Sequence, residues 1–427
     1  MVIRDPVHGD IPLTKELQLL LDSPEMQRLR GVKQLGTAYL VFPGALHTRF
    51  DHALGTVAMA GIIMNSLQAK SFSISPEEKR VVLAAALLHD LTHIPFGHTF
   101  EDERRVFSRH DTPARFRAYL GAGGVSRVLD RLGLAKPVLE LLTGQPPRKW
   151  MASIVAGTID ADLMDYLRRD GYFTGLSQHY DDRVFQYFSL EDDELILDMT
   201  KAGLDRPDAR SETVNLLRLR YFLTERVYYH HAKVVAGAMI SKAIEATVEA
   251  GLREEKLYGF TDDGLFRYLE GQASSQGLGS GVAELVSRVR ERRLYKRAYV
   301  LSEREVGPEK RSDLIQRFQT LSGRKMAERA LATELGLSDH EVIIYCPDTP
   351  VLKEATVRVR TTDGLFSLDD PRLTLGREVR FLQGMYAGLW RLYVFVPAGA
   401  VGRARWTAEA YFGEKSPYLP KSQAGEA

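Results

Sequence analysis

A mainly α-helical core followed by a mixed α+β C-terminal region is the fold that three observations in the sequence predict. Apolar residues recur at helical spacing through about the first 245 residues. Two stretches there combine a polar cap, an early proline and an acidic first turn: Asp22-Ser23-Pro24-Glu25 and Ser75-Pro76-Glu77-Glu78. After about residue 250 the pattern breaks, and three short runs rich in β-branched and aromatic residues read as strands.

In chain order, the first helix is expected from Pro24 and the next at about 52–68. The helix starting at Pro76 runs through Val81–Leu88 straight into His89 and Asp90, which puts that pair near a buried helix's C-terminal end. Further helices are expected at about 150–170 and 210–247. These make a first unit of residues 1–248. A second unit, 249–427, reads as helical, then sheet-bearing and helix-poor. It carries a Gly/Ser stretch (Ser274 to Gly281), a charged connector (Ser302 to Arg311) and the strands Glu341–Pro347, Ala355–Thr361 and Leu392–Pro397. From about Lys415 the chain reads as a disordered tail.

Lys plus Arg (57) nearly cancels Asp plus Glu (56), so no global basic field points to nucleic acid or an anionic membrane. The single cysteine, Cys346, excludes a disulfide framework and a cysteine-based zinc site. No signal peptide is visible, and the longest apolar run is too short to span a bilayer. A soluble, cytoplasmic protein is expected.

The string HDLTHIPFGH, His89 to His98, packs three of the chain's eleven histidines and one aspartate into ten positions. On a helix His89 and His93 share a face, with Asp90 turned by about 100°. His89 and Asp90 can reach one ion lying over the helix end, and such an ion needs ligands from elsewhere. His52 in HTRFDHALG and Asp162 in IDADLMDYLRRD, each beside an expected helix, are the candidates. Imidazole with carboxylate suits a divalent cation that works on phosphate, and four protein ligands leave positions open for water and substrate. A lone histidine on such a helix reads as readily as a hydrogen-bonded core residue.

The pattern His52, His89-Asp90, Asp162 resembles the HD-domain phosphohydrolase superfamily. The flanking segments RDPVHGDIPL, DSPEMQRLRGVKQLGTAYLVFPGALHTRFDHALG, HDLTHIPFGH, IDADLMDYLRRD and RRLYKRA resemble its deoxynucleoside triphosphate triphosphohydrolase (dGTPase-like) branch. The resemblance is dense over about residues 3–235, sparse near 292–298 and weak beyond. It implies an HD-domain helical core in residues 1–248. It also implies hydrolysis of a dNTP at the α-phosphorus to deoxynucleoside and triphosphate. His52, His89, Asp90 and Asp162 then hold one divalent metal per subunit, and such ligands accept Mg, Mn, Fe, Co, Ni or Zn.

The same resemblance implies a catalytic histidine at His98 with Glu101 orienting it, a second at His110 followed by Asp111, and phosphate contact by His93. Arg49 matches a phosphate-binding arginine, and Tyr166 and Asp170 lie one and two turns beyond Asp162. Gln34, Leu35 and Tyr229 match a sugar pocket in which a Leu/Tyr wall excludes a ribose 2′-hydroxyl. Taken singly, Arg49 reads equally as a salt bridge, Leu35 as core, Tyr166 as a packed ring and His110 as a loop residue. His230 and His231 lie beside the sugar pocket, one structural and one near the site.

Asp22, Gln27 and Arg30, with Arg292 and Lys296, match contacts to a guanine-nucleotide activator at an inter-subunit site, implying a homodimer or homotetramer. Arg4 departs from that pattern, and a solvated helix face accounts for the first three residues as well. Thr92 and Ile94 replace glycines common in this motif, and Ile94 adds bulk. Two other readings stay open: a phosphohydrolase of the same fold acting on other nucleoside phosphates, and a nucleotide-regulated nucleic-acid-binding protein with an idle centre.

Overall fold

The computed structural model describes residues 1–275 and 280–419. Three helices build the framework of the site. Helix α1 (Arg49–Ala69) opens on a capping box in which Thr48 and Asp51 satisfy each other's backbone N–H groups. It is buried around most of its circumference, as a central helix must be. Helix α2 (Pro76–Leu88) opens on the matching Ser75–Glu78 box, and His89 still has helical backbone angles at its end. Helix α3 (Ala161–Thr174) is capped by Asp160, whose carboxylate accepts the Leu163 N–H at 2.8 Å, so Asp162 falls in the first turn.

Helices α1 and α3 approach closely at Gly55. A Cβ there would lie 1.8 Å from an Asp165 carboxylate oxygen, so only glycine fits. The long expected helices are divided. Lys149–Ala156 and α3 are separate, as are α4 (Pro207–Leu223) and α5 (His231–Glu249), the latter two joined by a π-helical turn at Thr224–Tyr228. The helix starting at Pro24 is only Pro24–Arg28.

Hairpins interrupt the part expected to be helical. Val2–Asp5 pairs with Gly9–Pro12, and Phe188–Glu191 with Glu194–Asp198 around Asp192-Asp193, both at positive φ. Glu194–Asp198 also pairs in parallel with Arg358–Thr361 from far along the chain. One hydrophobic core joins Leu54 and Leu163 to Leu352 and Ala355. The boundary expected at 248 is therefore crossed by both a sheet and a core.

The C-terminal region is not helix-poor. It holds Asp262–Ser275, Ser280–Arg290, Pro308–Gln319, α6 (Leu321–Leu335), Thr374–Ala387 and Val401–Phe412. Pro308–Gln319 begins inside the charged stretch read as a connector; it buries only Leu314 and Phe318, too little apolar surface to show as periodicity. Strands β1 (Lys296–Ser302), β2 (Ile343–Tyr345) and β3 (Arg391–Val396) form an antiparallel sheet in the order β1-β3-β2. The Gly/Ser stretch lies partly, and the chain from 420 wholly, outside the described residues. Before that point Ser416 is buried and bonded both ways to the Val300 backbone, so ordered chain runs past Lys415.

A fully buried charge network ties these parts together. Arg104 meets Glu245 of α5 at 2.6 Å, Glu328 of α6 at 2.9 Å and the Ile344 carbonyl of β2 at 2.7 Å. Removing one member of such a cluster strands its partners without counter-charge.

Candidate metal centre and active-site cavity

His52, His89 and Asp162 converge. The two imidazole Nε2 atoms are 3.2 Å apart, and the Asp162 Oδ1 lies 2.9 Å from that of His52 and 3.8 Å from that of His89. Asp90 sits at the edge, its oxygens 3.7 Å from His52 Nε2 and 3.6 Å from His89 Nε2, and it also grips Arg49.

The tautomers follow from the outer partners. His52 Nδ1–H donates to Asp165 at 2.7 Å, and His89 Nδ1–H to the Ala86 carbonyl at 2.8 Å. Acceptor-only partners force the hydrogen onto each Nδ1, leaving both Nε2 atoms aimed at one point. Two facing imidazole nitrogens beside carboxylates need positive charge between them. Burial would lower the His52 pKa, but Asp162 and Asp165 outweigh it and raise it to about 10. The donor set and its convergence fit a divalent cation.

Asp165, which the sequence reading did not single out, anchors this arrangement. Arg169 grips it through two nitrogens at 2.9 Å, His8 touches it, and Arg169 continues to Asp5 at 2.8 Å. Burial would raise the Asp165 carboxyl, but Arg169 first, then His52 and His8, hold it well below the usual range. The available signals were its position three residues after Asp162 and the histidine of DPVHGD.

Beside these side chains lies a second imidazole group. His93 and His110 stack with ring centroids 3.6 Å apart, and His98 meets both edge-on. His93 is fully buried, with Nε2 3.2 Å from Asp90, and does not line the cavity expected to bring it phosphate. Glu101 bonds His110 at 2.9 Å and Arg115 at 2.8 Å, whereas the carboxylate nearest His98 is Asp102, at 3.0 Å. The expected Glu101–His98 pairing is thus replaced by Glu101–His110, with Glu101 3.6 Å from His98. Asp111 faces Arg109 at 3.0 Å. Burial lowers the pKa of His110, and burial followed by Arg49 and His110 lowers that of His93 further.

The turn that presents His98 is strained. Phe96 has φ +59° and Gly97 φ +49°, and the Phe96 N–H is held by the buried Asp262 carboxylate at 2.9 Å. A Cβ on Gly97 would meet Arg49 Nη2 at 2.8 Å, so this turn lets Arg49 reach under it.

A cavity of about 710 Å³ opens over both groups. Its walls include His89, Asp90, Asp162, His98 and His110, together with Gln34, Leu35, Arg49, Tyr166, Asp170 and Tyr229. The buried Gln34 Oε1 has no hydrogen-bond partner in the protein. Asp170 is held by His47 at 2.9 Å and by Tyr228 at 2.6 Å, so Tyr228 rather than Tyr229 makes the aromatic contact to this carboxylate. His230 and His231 stack on each other, and neither lines the cavity. Arg220, Lys353 and Glu354 also line it, the last two from the C-terminal region; no local motif marks them.

The residues expected to hold an activator have separate neighbours. Arg30 bonds Gln27 at 2.9 Å and lies over the Phe50 ring, Asp22 is exposed, and Arg292 bonds the Leu40 carbonyl at 2.8 Å while Lys296 is exposed.

These features belong to a helical phosphohydrolase superfamily built around His and Asp metal ligands. The HD domain profile matches residues 49–170, and the HD associated region matches residues 180–421. The chain belongs to the HD superfamily, on the branch that carries this associated region. It is similar to the uncharacterized protein YwfO of Bacillus subtilis (strain 168), 33% identical over 248 residues, covering 57% of this chain and 55% of YwfO. It is also similar to the human deoxynucleoside triphosphate triphosphohydrolase SAMHD1, 31% identical over 283 residues, covering 57% of this chain and 44% of that one. The chain thus spans about half the length of these two relatives. A solved structure of a hypothetical protein from Aquifex aeolicus shares the fold, with a TM-score of 0.69 and 23% identity, covering 96% of this chain and 99% of that one. Among the described residues no helix is long and apolar enough to cross a membrane.

Proposed function

We propose that this chain is a metal-dependent phosphohydrolase that cleaves deoxynucleoside triphosphates at the α-phosphorus, releasing deoxynucleoside and triphosphate. The observation that carries the reading is the convergence of His52, His89 and Asp162 at the wall of a cavity large enough for a nucleotide. These three would hold the metal, with Asp90 alongside. When bound, the metal supplies Lewis acidity toward a phosphate oxygen and lowers the pKa of a water. Arg49 adds a buried guanidinium beside Asp90 for the same phosphate.

His98, half-exposed at the cavity with Asp102 behind its Nδ1, protonates the leaving 5′-oxygen. His110 is fixed between Glu101 and His93 and lines the cavity as a polar neighbour of the phosphate. Asp170 accepts the one hydrogen of the sugar 3′-hydroxyl, and the Gln34 amide, whose oxygen is unbonded in the protein, turns its N–H to the hydroxyl oxygen. Leu35 and the Tyr228/Tyr229 pair crowd C2′, where a ribose hydroxyl would find no partner.

The test is product analysis. Purified protein is incubated with each dNTP and each NTP in Mg²⁺ or Mn²⁺, and products are separated by chromatography. Deoxynucleoside plus triphosphate supports the reading; dNDP plus orthophosphate rejects it. The same metal centre serves other nucleoside phosphates equally well, so a panel of mono- and diphosphates decides between the two. Adding dGTP or GTP, with native mass measured in parallel, tests the activator and the homodimer or homotetramer.

A further inference from the structure

Six cationic side chains line the cavity, and four of them are already engaged by carboxylates. Arg49 is gripped by Asp90, Arg105 by Asp348, Arg109 by Asp102 and Asp111, and Lys233 by Glu103. The other two are different. Arg220 makes only a loose pair, its Nε 3.5 Å from Glu354, and that Nε has no hydrogen bond. Lys353 is exposed to the cavity, and among the described residues its ammonium has no ion pair or hydrogen bond; Asp160 is its charged neighbour.

Both Lys353 and Glu354 come from the turn Lys353–Thr356, which is firmly placed. Leu352 and Ala355 on either side are buried in the same core as Leu163 of the metal-ligand helix. Upstream, Trp390 Nε1 holds the Pro347 carbonyl at 2.8 Å, and Arg105, seven residues after His98, pairs with Asp348. Glu354 is 1% exposed and neither of its oxygens accepts a hydrogen bond. A buried carboxylate whose one ion pair among the described residues is with Arg220 serves to hold that guanidinium, which lies over the rings of Tyr166 at 5.1 Å and Tyr228 at 5.4 Å.

We propose that the HD-associated region completes the active site: Lys353 binds the distal phosphates of a polyphosphate substrate, beside an Arg220 that Glu354 positions. This rests on the reading that the substrate is a nucleoside triphosphate. The α-phosphate belongs at the metal ligands, so the remaining charge of a triphosphate needs cations that no carboxylate grips closely. Lys353 and Arg220 are the ones the cavity offers.

Calorimetric titration of the full-length, metal-loaded protein with inorganic tripolyphosphate in excess Mg²⁺ tests this. Lys353→Ala weakens tripolyphosphate binding by about tenfold, the worth of one charge-assisted contact at a partly open site. Lys353→Arg restores most of it. The KM for the dNTP rises by a similar factor while kcat holds, because the lost contact is remote from the bond that breaks. Glu354→Gln gives a smaller rise in KM, also with kcat retained. Lys353 is exposed, so its removal leaves the melting temperature and metal content unchanged, and both are measured alongside.

Equal tripolyphosphate affinity in wild type and Lys353→Ala overturns the inference, as does failure of the wild type to bind tripolyphosphate. If tripolyphosphate binding falls as expected but no dNTP is turned over, Lys353 keeps its role and the triphosphohydrolase reading fails. If dNTPs are hydrolysed and Lys353→Ala behaves as wild type, only the present inference fails.

Discussion

Two imidazole clusters share one end of α2, and their outer partners give them opposite characters. In the first, His52 and His89 spend their Nδ1 hydrogens on Asp165 and the Ala86 carbonyl, so both Nε2 atoms face Asp162 and Asp90. That arrangement concentrates negative potential and calls for a cation. In the second, His93 and His110 stack in a buried site that disfavours their charged forms, and Glu101 is shared between His110 and Arg115. Only His98 reaches well into solvent. Residue type alone does not separate a metal ligand from a proton carrier; the second hydrogen bond on each ring does.

The comparison breaks most sharply at Asp162. Replacing it with Ala removes the anion between the two Nε2 atoms, so bound metal, read by elemental analysis of the purified protein, falls to background and turnover disappears with it. Retention of one metal per chain would move the centre away from the first cluster. The second cluster gives the next largest effect. His98→Ala keeps the metal but lowers kcat by about 10²–10⁴-fold, as loss of a general acid does. An unchanged rate would remove His98 from the proton transfer.

A third change tests the outer hydrogen bond itself. Asp165→Asn leaves every candidate metal ligand in place but weakens the acceptor that sets the His52 tautomer. Metal affinity, measured by competition with a chelator, falls by about 10–100-fold. Excess metal restores turnover in this variant and not in Asp162→Ala.

What was legible in the sequence follows the same division. The candidate set His52, His89, Asp90 and Asp162 could be read because three histidines and an aspartate crowd ten positions at a helix end that the Ser75 cap helps to place. The structure brings His52, His89 and Asp162 together, with Asp90 at their edge. The helical core could be read from apolar periodicity and from the start signal at Ser75, whereas the Thr48 box that opens α1 went unread and the signal at Ser23 opens only Pro24–Arg28. The pairings could not be read. Glu101 and Asp102 stand three and four residues after His98, so helical spacing allows either pairing, and the resemblance alone named Glu101. The π-helical turn at Thr99–Glu103 redirects the carboxylates, so Asp102 meets His98 and Glu101 swings to His110. Tyr228 and Tyr229 are adjacent in sequence, and a second π-helical turn, at Thr224–Tyr228, decides which of them reaches Asp170. The C-terminal wall was illegible for a different reason. Lys353 and Glu354 enter the cavity only because Leu352 and Ala355 pack into a core made by residues nearly two hundred positions earlier, and no local pattern records that contact.

The smallest effect sharpens the division of labour between the two neighbouring acids. Asp102 and His98 are both about half-exposed, so their 3.0 Å pair is solvent-screened and its loss costs only about two- to fivefold in kcat, the range of an exposed ion pair. The size of that loss matters less than its dependence on background. If Asp102 orients His98, Asp102→Asn has no further effect once His98 is Ala, yet keeps its full effect when His110 is Ala. Glu101→Gln shows the reverse, coupling to His110 and adding independently to His98→Ala. The Glu101 change is also the larger of the two, because its carboxylate is buried and carries Arg115 as well as His110. Coupling of Glu101 to His98 instead would restore the pairing that the resemblance implies, and would mean that the π-helical turn rearranges when substrate binds.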